Sequence, residues 1–244
     1  CESEKLKEST DLTLTCNVKR TEHGQTKYDN VSPLNYDKGT FHRTVPEGEF
    51  FSEIISEASL SSDDVRAVYD YVLSGMHYGK PKEKTDQYYS GRNPKTGEEW
   101  LSSSILYGRN KVSKDDVVDA YIKASNDKTD YTFGKGNSKY ACNIGVGNCT
   151  DYHSYFISLC RTLDVPARFH MGFSIPLEEG KTEGKVGGYH CWADYYTDDE
   201  GWTPVDISEA DKDPSKTNYF FGTINENLQL IDQSRDGGRL RSSN

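Results

Sequence analysis

The sequence predicts an α+β fold in which helices come first along the chain and an antiparallel sheet follows. Three observations carry this prediction. Apolar residues recur with a helical period of about 3.6 in three segments before residue 165. From residue 167 onward apolar residues alternate, as on a half-buried strand. Two of these later segments are joined by the short turn DDEG, as in a β-hairpin.

The first 40 residues are polar and show no sustained period, so they predict an N-terminal extension or tether. A length of 244 residues suits one domain. We therefore expect residues 41–244 to form a single domain. Residues 82–110 are rich in Gly, Ser, Lys and Tyr, and this composition predicts a surface insertion that shapes a groove.

Two amphipathic helices are expected before residue 130. The first lies in SSDDVRAVYDYVLSGMHYGKP, with its N-cap at Ser61 or Ser62 and its end before Gly79 and Pro81. Its apolar stripe is Val65, Val68, Tyr69, Val72, Leu73 and Met76. The second is SKDDVVDAYIKASN, which opens on a capping box. The segment DKTDYTFGKGNSKYACNIGVG then predicts a glycine-rich loop.

The third helix begins at Cys149, with Asn148 as N-cap and Asp151 completing a capping box. Its predicted buried stripe is Tyr152, His153, Phe156, Leu159, Cys160 and Leu163. The opposite side carries Thr150, Asp151, Ser154, Ser158, Arg161 and Thr162. At a helix N-terminus the unpaired N–H groups and the macrodipole stabilise a thiolate and offer donors to an oxyanion. A nucleophile uses that position, whereas a structural cysteine has no need of it.

Three strands are predicted after this helix, in ARFHMGFSI, YHCWADYYT and GWTPVDIS. The last two form the hairpin, and His190 and Asp206 fall on one face of it. Facing side chains on adjacent antiparallel strands lie about 5 Å apart, so these two residues are within reach of a hydrogen bond. Cys191 alternates with His190 and is expected to point away from Cys149.

Cys149, His190 and Asp206 together make a candidate nucleophile, base and orienting carboxylate. Each also has a structural interpretation that the spacing leaves open. Cys149 suits a core position, His190 suits a sheet, and Asp206 suits a turn that closes the hairpin.

Three segments closely resemble the core motifs of the transglutaminase-like superfamily in its prokaryotic, papain-related form. They are GNCTDYHSYFISLCRTLDVPARFHMGFSIP, GYHCWADYY and GWTPVDISEA, in that order. The segment YFFGTINENLQLIDQSRD resembles the one that follows in such proteins, with Leu228 where arginine is common. The resemblance covers about residues 60–236. It implies a papain-like core, with the Cys149 helix packed on the sheet and residues 41–244 as the catalytic domain.

By this resemblance Cys149 is the nucleophile, His190 the general base and acid, and Asp206 the orienting group. The oxyanion would be held by the Cys149 backbone N–H and by an upstream donor, for which Tyr140 and Asn143 are the candidates.

Neighbouring aromatic residues are expected to shape the cleft. Trp192 and Trp202 would wall it and keep water from the thiolate. His153 lies one turn from Cys149, and it either touches the site or is a core histidine bonded to the backbone. Asp151 is interpreted as a helix cap, and His170 carries no signal.

The expected activity is acyl transfer from amides of proteins or peptides through a Cys149 thioester, with no cofactor. Hydrolysis is preferred over transfer to an amine. No Asp/Glu cluster has the spacing of a calcium loop, so no metal is expected. One alternative is a non-catalytic cell-surface binding module with the same fold. Another is a structural lipoprotein that recognises a partner through its tyrosine-rich insertion.

The net charge of −10 argues against nucleic acid or an anionic membrane as partner. No run of about 18 apolar residues is present, so no span is predicted. A chain that opens with Cys1 and a polar stretch resembles a mature bacterial lipoprotein, and an arbitrary boundary is the alternative. The first interpretation predicts export to the bacterial cell envelope and a lipid anchor at Cys1. The sequence does not predict the oligomeric state.

The six cysteines lack zinc-site spacing. Cys160 is interpreted as a small core hydrophobe. Cys142 lies close enough along the chain to oxidise onto Cys149, but we expect Cys149 to stay free and any disulfide to involve Cys16.

Overall fold

The computed structural model describes residues 48–79, 93, 95–175, 184–224 and the backbone of 228–234. The elements in chain order are α1 (Glu49–Ala58), α2 (Val65–Gly75), β1 (His77–Tyr78), α3 (Lys114–Asp127), α4 (Ser138–Ile144), β2 (Val146–Gly147), α5 (Cys149–Thr162), β3 (Ala167–Ser174), β4 (Gly188–Thr197), β5 (Gly201–Val205), α6 (Ile207–Lys212) and β6 (Leu228–Ser234), with a 3₁₀ turn at Pro214–Lys216. The α+β prediction is confirmed. Within these residues, none of the helices is long and apolar enough to cross a membrane.

The main sheet has four antiparallel strands in the order β5-β4-β3-β6. The predicted hairpin is present, with Thr197 paired to Gly201 across its turn. A second, parallel pair joins β1 to β2, with Tyr78 opposite Gly147. That pair was not expected from the sequence, and it places β1 beside the chain that leads into α5.

The main core lies between one face of the sheet and the helices α1, α2 and α5. The fully buried rings of Phe51, Tyr69 and Phe156 fill it from three different helices. Cys160 is buried in the same cluster and forms no disulfide, as expected of a core hydrophobe. Burying an aromatic or aliphatic side chain of this size stabilises the fold by about 1.5–3 kcal/mol each.

Helix α5 is buried on nearly all sides, which corrects the amphipathic pattern predicted for it. The face that was expected to be polar and outward is covered by α4 and the loop before it. Its polar groups are satisfied internally. Ser158 Oγ donates to Ser138 Oγ at 2.7 Å, and Arg161 Nε donates to the Ala167 carbonyl at 2.8 Å. Buried polar groups are tolerated when each one finds such a partner.

A second, smaller core lies under the segment 95–112. Its buried members are Leu101, Tyr107, Val117, Tyr140, Ile144 and Val146. Since Leu101 and Tyr107 are buried here, this end of the expected surface insertion is part of the packed fold. Residues 82–92 lie outside the described part of the chain.

Gly145, which follows α4, lets the chain pack closely against the backbone at Gly108. A Cβ at residue 145 would lie only 2.4 Å from the Gly108 nitrogen. The φ of Gly145, +66°, also favours glycine.

Several helix boundaries differ from the prediction. Helix α2 begins at Val65 with Asp64 as N-cap, because the Asp64 side chain accepts from the Ala67 N–H. It ends at Gly75, and the chain then forms β1. The capping box of Ser113 and Asp116 at α3 is confirmed. The predicted glycine-rich loop contains α4, and α1 and α6 were not predicted.

Candidate active site

Cys149 is the first residue of α5, directly after β2, and its side chain is buried. The capping box predicted for this helix is confirmed. Asn148 Oδ1 accepts from the Thr150 N–H at 3.0 Å, and Asp151 Oδ2 accepts from the Asn148 N–H at 3.1 Å. Asp151 also accepts from the N–H groups of Gly134 at 2.7 Å and Gly136 at 3.0 Å. It therefore ties the preceding loop to the helix and fixes the position of the thiol.

His190 and Asp206 form the hydrogen bond that was predicted. The His190 Nε2–H donates to Asp206 Oδ2 at 2.6 Å, and both side chains are buried. Because Nε2 is taken, Nδ1 is the nitrogen left to interact with Cys149, and each of these two side chains shifts the pKa of the other. The three candidate residues are therefore neighbours in the order Cys149, His190, Asp206.

Asp206 follows β5 by one residue and is the N-cap of α6, which corrects its expected place on the strand. Its second oxygen, Oδ1, accepts from Ser208 Oγ at 3.0 Å and from the Glu209 N–H at 3.1 Å. Asp206 thus fits both of its sequence interpretations, as a residue at a turn and as the partner of His190. One oxygen caps a helix and the other holds the imidazole.

The electrostatics favour a thiolate and an imidazolium. A hydrogen bond from Cys191 lowers the pKa of Cys149 well below its ordinary value; burial opposes this, and His190 adds to it. Burial would lower the pKa of His190, but Asp206 and Cys149 raise it well above 6.5. Asp206 is buried too, yet His190 holds the pKa of its carboxyl at about 2. These shifts favour the state in which His190 holds the proton and Cys149 carries the negative charge.

Cys191 corrects a further expectation. Its thiol does not point away from Cys149: it lies 3.5 Å from Oγ1 of Thr150, the next residue along the chain, and its interaction with Cys149 lowers the pKa of that thiol. Burial and the Cys149 charge keep the Cys191 thiol protonated, since both raise its pKa. The described cysteines, which are Cys142, Cys149, Cys160 and Cys191, are all free. The expectation that Cys149 stays unbridged is confirmed, whereas Cys1 and Cys16 lie outside the described residues.

His153 is a core histidine bonded to the backbone, one of its two sequence interpretations. Its Nδ1–H donates to the Cys149 carbonyl at 2.7 Å, and its Nε2 accepts from the Ile207 N–H at 3.1 Å. A ring nitrogen that accepts carries no proton, so this imidazole is neutral. Burial lowers its pKa, which agrees with that state. His153 therefore links the nucleophile helix to α6 without adding a charge.

Trp192 lies between two histidines on one face of the sheet. Its ring stacks on His190 at 6.4 Å and on His170 at 5.6 Å between centroids. His170 Nε2 in turn bonds Asp194 Oδ2 at 2.7 Å, and Arg168 donates to the same oxygen at 2.8 Å. The tryptophan thus packs against the His190 imidazole, and its expected role as a wall of the cleft stays a prediction.

The sequence analysis did not predict the buried ion pair of Arg168 and Asp194. The sequence did contain a signal for it. Arg168 and His170 are two residues apart on β3, and Trp192 and Asp194 are two residues apart on β4, so each pair shares a face of its strand. Trp202 is buried with the Arg168 guanidinium 4.0 Å above its ring, so it packs against this network.

The two candidate oxyanion donors lie elsewhere. Tyr140 is buried in the second core, where its ring packs edge-on against Tyr131 at 5.6 Å. Asn143 Nδ2 donates to the Tyr131 hydroxyl at 3.1 Å. Both side chains thus have structural partners away from the thiol, and an oxyanion role for either gains no support from these contacts.

Comparison with known proteins was made at the levels of sequence and structure. Residues 106–207 match the family model of the transglutaminase-like superfamily. An uncharacterised protein of Haemophilus influenzae is 30% identical over 133 residues, which make up 42% of this chain and 36% of that protein. The matched region thus spans about a third of this relative.

Similar solved structures include a candidate cysteine protease from Cytophaga hutchinsonii, with 15% identity, 84% of this chain and 46% of that chain covered, and a TM-score of 0.40. The periplasmic domain of TgpA from Pseudomonas aeruginosa has 14% identity, coverages of 77% and 51%, and a TM-score of 0.35. Red sea bream transglutaminase has 13% identity, coverages of 59% and 21%, and a TM-score of 0.29. This chain therefore covers about half, or less, of each.

Proposed function

Since residues 106–207 match the family model of the transglutaminase-like superfamily, we propose that the chain is a thiol-dependent acyl-transfer enzyme acting on amide bonds of proteins or peptides. The observation that carries the proposal is the arrangement of Cys149, His190 and Asp206. His190 is hydrogen-bonded to Asp206, and the pKa shifts of Cys149 and His190 favour a thiolate and an imidazolium. A pure binding module has no use for a buried thiolate paired with an imidazolium. The geometry therefore favours an enzyme over the binding module.

In the first step, the Cys149 sulfur attacks the carbonyl carbon of the amide, and the carbonyl electron pair moves onto oxygen. When this tetrahedral intermediate collapses, the C–N bond breaks and His190 gives its Nδ1 proton to the leaving amine. The product is a thioester on Cys149. Asp206 holds the imidazole in the orientation and tautomer that this transfer requires.

In the second step, an acceptor attacks the thioester. His190 removes a proton from the acceptor, a new bond forms to the carbonyl carbon, and the Cys149 thiolate leaves. Water as acceptor gives hydrolysis, and a primary amine gives a new amide. We favour hydrolysis, and the acceptor is the variable in the experiment below.

A polypeptide substrate is supported by an apolar surface beside the thiol. Tyr189 precedes His190 on β4 and is 54% exposed, while Phe173 lies opposite it on β3 and is 40% exposed. The Tyr189 hydroxyl reaches Thr150, the residue after the nucleophile. Exposed aromatic side chains next to a reactive centre provide a surface for apolar side chains of a substrate.

The proposal is tested by incubating a peptide library with the protein, with and without an added primary amine, and analysing products by mass. We expect cleaved or deamidated peptides, and amine adducts only if transfer competes with water. Cys149→Ala should abolish every product. Cys142→Ala is the matched control, because that thiol is also buried but bonds Tyr155. A library left unchanged, with a Cys149 no more reactive than an ordinary thiol, would favour the binding module.

Export and lipid attachment stay predictions, because Cys1 lies outside the described residues. They bear on the same proposal, since an exported enzyme must keep its nucleophile reduced in an oxidising compartment.

A further inference from the structure

The parallel pair of β1 and β2 brings Tyr78 next to the nucleophile. Tyr78 lies opposite Gly147, two residues before Cys149, and the Gly79 N–H donates to the Gly147 carbonyl at 3.0 Å. Burial raises the pKa of Tyr78 to about 12, Lys212 opposes this, and the negative charge of Cys149 adds to it. The hydroxyl is therefore protonated at neutral pH, and it lies within the electrostatic field of the thiolate.

Lys212 strengthens this hydroxyl as a donor. The Lys212 Nζ lies over the Tyr78 ring, 4.1 Å from its centre. The same Nζ donates to Glu209 Oε1 at 2.6 Å. An ammonium this close to the ring favours negative charge on the phenol oxygen, so the hydroxyl proton is a better donor to an acceptor.

The Tyr78 ring is also held in place. It contacts the Trp100 ring at 5.1 Å and stacks on Tyr152 at 6.5 Å between centroids. The backbone N–H of Tyr78 donates to Asp211 Oδ2 at 3.1 Å. A donor that is fixed before the reaction needs no reorganisation when charge develops on a substrate.

We propose that the Tyr78 hydroxyl is the second donor to the oxyanion, beside the Cys149 backbone N–H, and that Lys212 is the residue that positions it. The inference rests on the proposed acyl transfer and names the upstream donor that the sequence sought in Tyr140 and Asn143. Those two side chains are engaged with Tyr131. Tyr78, by contrast, is half-buried and lies beside Cys149, because its backbone pairs with Gly147 and its ring stacks on Tyr152 of the same helix.

The test compares two reactions of the same thiolate. With 4-nitrophenyl acetate, the Cys149 sulfur bonds to the carbonyl carbon, an oxyanion forms, and collapse expels 4-nitrophenolate and leaves an acetyl thioester. With iodoacetamide, the sulfur displaces iodide from a CH₂ carbon, and no oxyanion forms on a carbonyl. An oxyanion donor therefore accelerates the first reaction and leaves the second unchanged.

We expect Tyr78→Phe to slow acylation about 10- to 100-fold, since removal of one such donor has effects of this size or larger. Alkylation should stay within about twofold, because the thiolate itself is intact. Lys212→Met should also slow acylation, because it removes the cation. Lys212→Arg keeps the cation and should retain most of the wild-type acylation rate. Tyr71→Phe is the matched control, since that half-buried hydroxyl bonds Tyr155.

An equal fall in both reactions would overturn the inference, because Tyr78 would then act on the thiolate or on the fold. Unchanged acylation in Tyr78→Phe would overturn it too. Acylation that survives in Cys149→Ala would instead reject the proposed function, and this inference with it. Circular dichroism of each variant separates a lost hydroxyl from a lost fold.

Discussion

The two ring nitrogens of His190 have different partners, and this asymmetry decides the charge state of the site. Nε2 donates to Asp206 and Nδ1 faces Cys149, so a proton on each nitrogen is held by an anion. Such an arrangement stabilises the imidazolium and, through it, the thiolate. In the proposed mechanism the thiolate therefore forms before any substrate binds.

This pairing predicts the pH dependence of alkylation. Because the pKa of Cys149 is lowered, its reaction with iodoacetamide should remain fast as the pH falls to 6, well after ordinary thiols have become protonated. His190→Ala should reduce the rate at pH 6 about tenfold or more. Mass mapping of the alkylated peptides identifies the reacting cysteine. Uniform labelling of all cysteines in the wild-type protein would contradict the prediction.

A second prediction concerns the thiol of Cys191. Its hydrogen bond stabilises the Cys149 thiolate, so Cys191→Ala should move the alkylation profile of Cys149 to higher pH. We expect the rate at pH 6 to fall about threefold or more, since hydrogen bonds to charged groups are among the stronger ones. Cys191→Ser is the control that retains a donor and should lie nearer the wild type. If Ala and Ser variants gave the wild-type profile, the contact would have no part in the reactivity.

At the scale of elements, the paired ends of β3 and β4 present the apolar surface of Tyr189 and Phe173. Tyr189→Ala should raise the KM for a peptide substrate about 3- to 10-fold and leave kcat nearly unchanged, because the ring contributes binding and not chemistry. Tyr189→Phe keeps the ring and should bind nearly as the wild type does. A fall in kcat at constant KM would show that the side chain acts on the reacting groups.

The sequence predicted most of the longer elements, although it missed the ten-residue α1, and it predicted the short ones poorly. Helices α2, α3 and α5 and the strands β3, β4 and β5 were all expected, because each shows several repeats of its apolar period. Helices α4 and α6 have seven and six residues, too few to be stable in isolation, so tertiary packing decides them. The two-residue strands β1 and β2 carry no period at all.

The candidate site shows the same division. Cys149, His190 and Asp206 were predicted, since a cap position and a hairpin register are local features. The place of Cys191 was wrong. Alternation shows which residues share a face of β4 but not which face meets the helices, and the face with Cys191 and Ala193 packs in the main core with α5. The position of Tyr78 depends on the pairing of β1 with β2, which lie about 70 residues apart, and a single sequence does not reveal such a pairing.

At the scale of the whole molecule, the same charges make stability depend on pH. The raised pKa of His190 stabilises the folded state fully below 6.5, and this contribution is lost as the pH rises further. The lowered pKa of Cys149 contributes fully above 9 and is lost as the pH falls. Between pH 6.5 and 9 these two pH dependences of stability cancel. In that range the unfolded chain binds one proton on Cys149 and the folded pair binds one proton on His190.

The expected result is a plateau in the difference in unfolding free energy between wild type and the double variant Cys149→Ser/His190→Gln, which lacks both titrating groups. This difference should be flat between pH 6.5 and 9 and should fall below 6.5, where the unfolded cysteine and histidine both hold protons. Urea denaturation of both proteins across the pH range measures it. A difference that kept falling from pH 9 to pH 6.5 would mean that His190 is neutral in the folded protein.

Helix α6 holds groups of the candidate site at both of its ends. Asp206 begins it and Lys212 ends it, and the Ile207 amide is held by His153. A six-residue helix persists only through such contacts, so its amides should exchange with solvent through one cooperative event. During that event the imidazole loses its carboxylate and Tyr78 loses its cation together. The active population is then set by one equilibrium, and acylation of Cys149 should slow exchange along the whole helix.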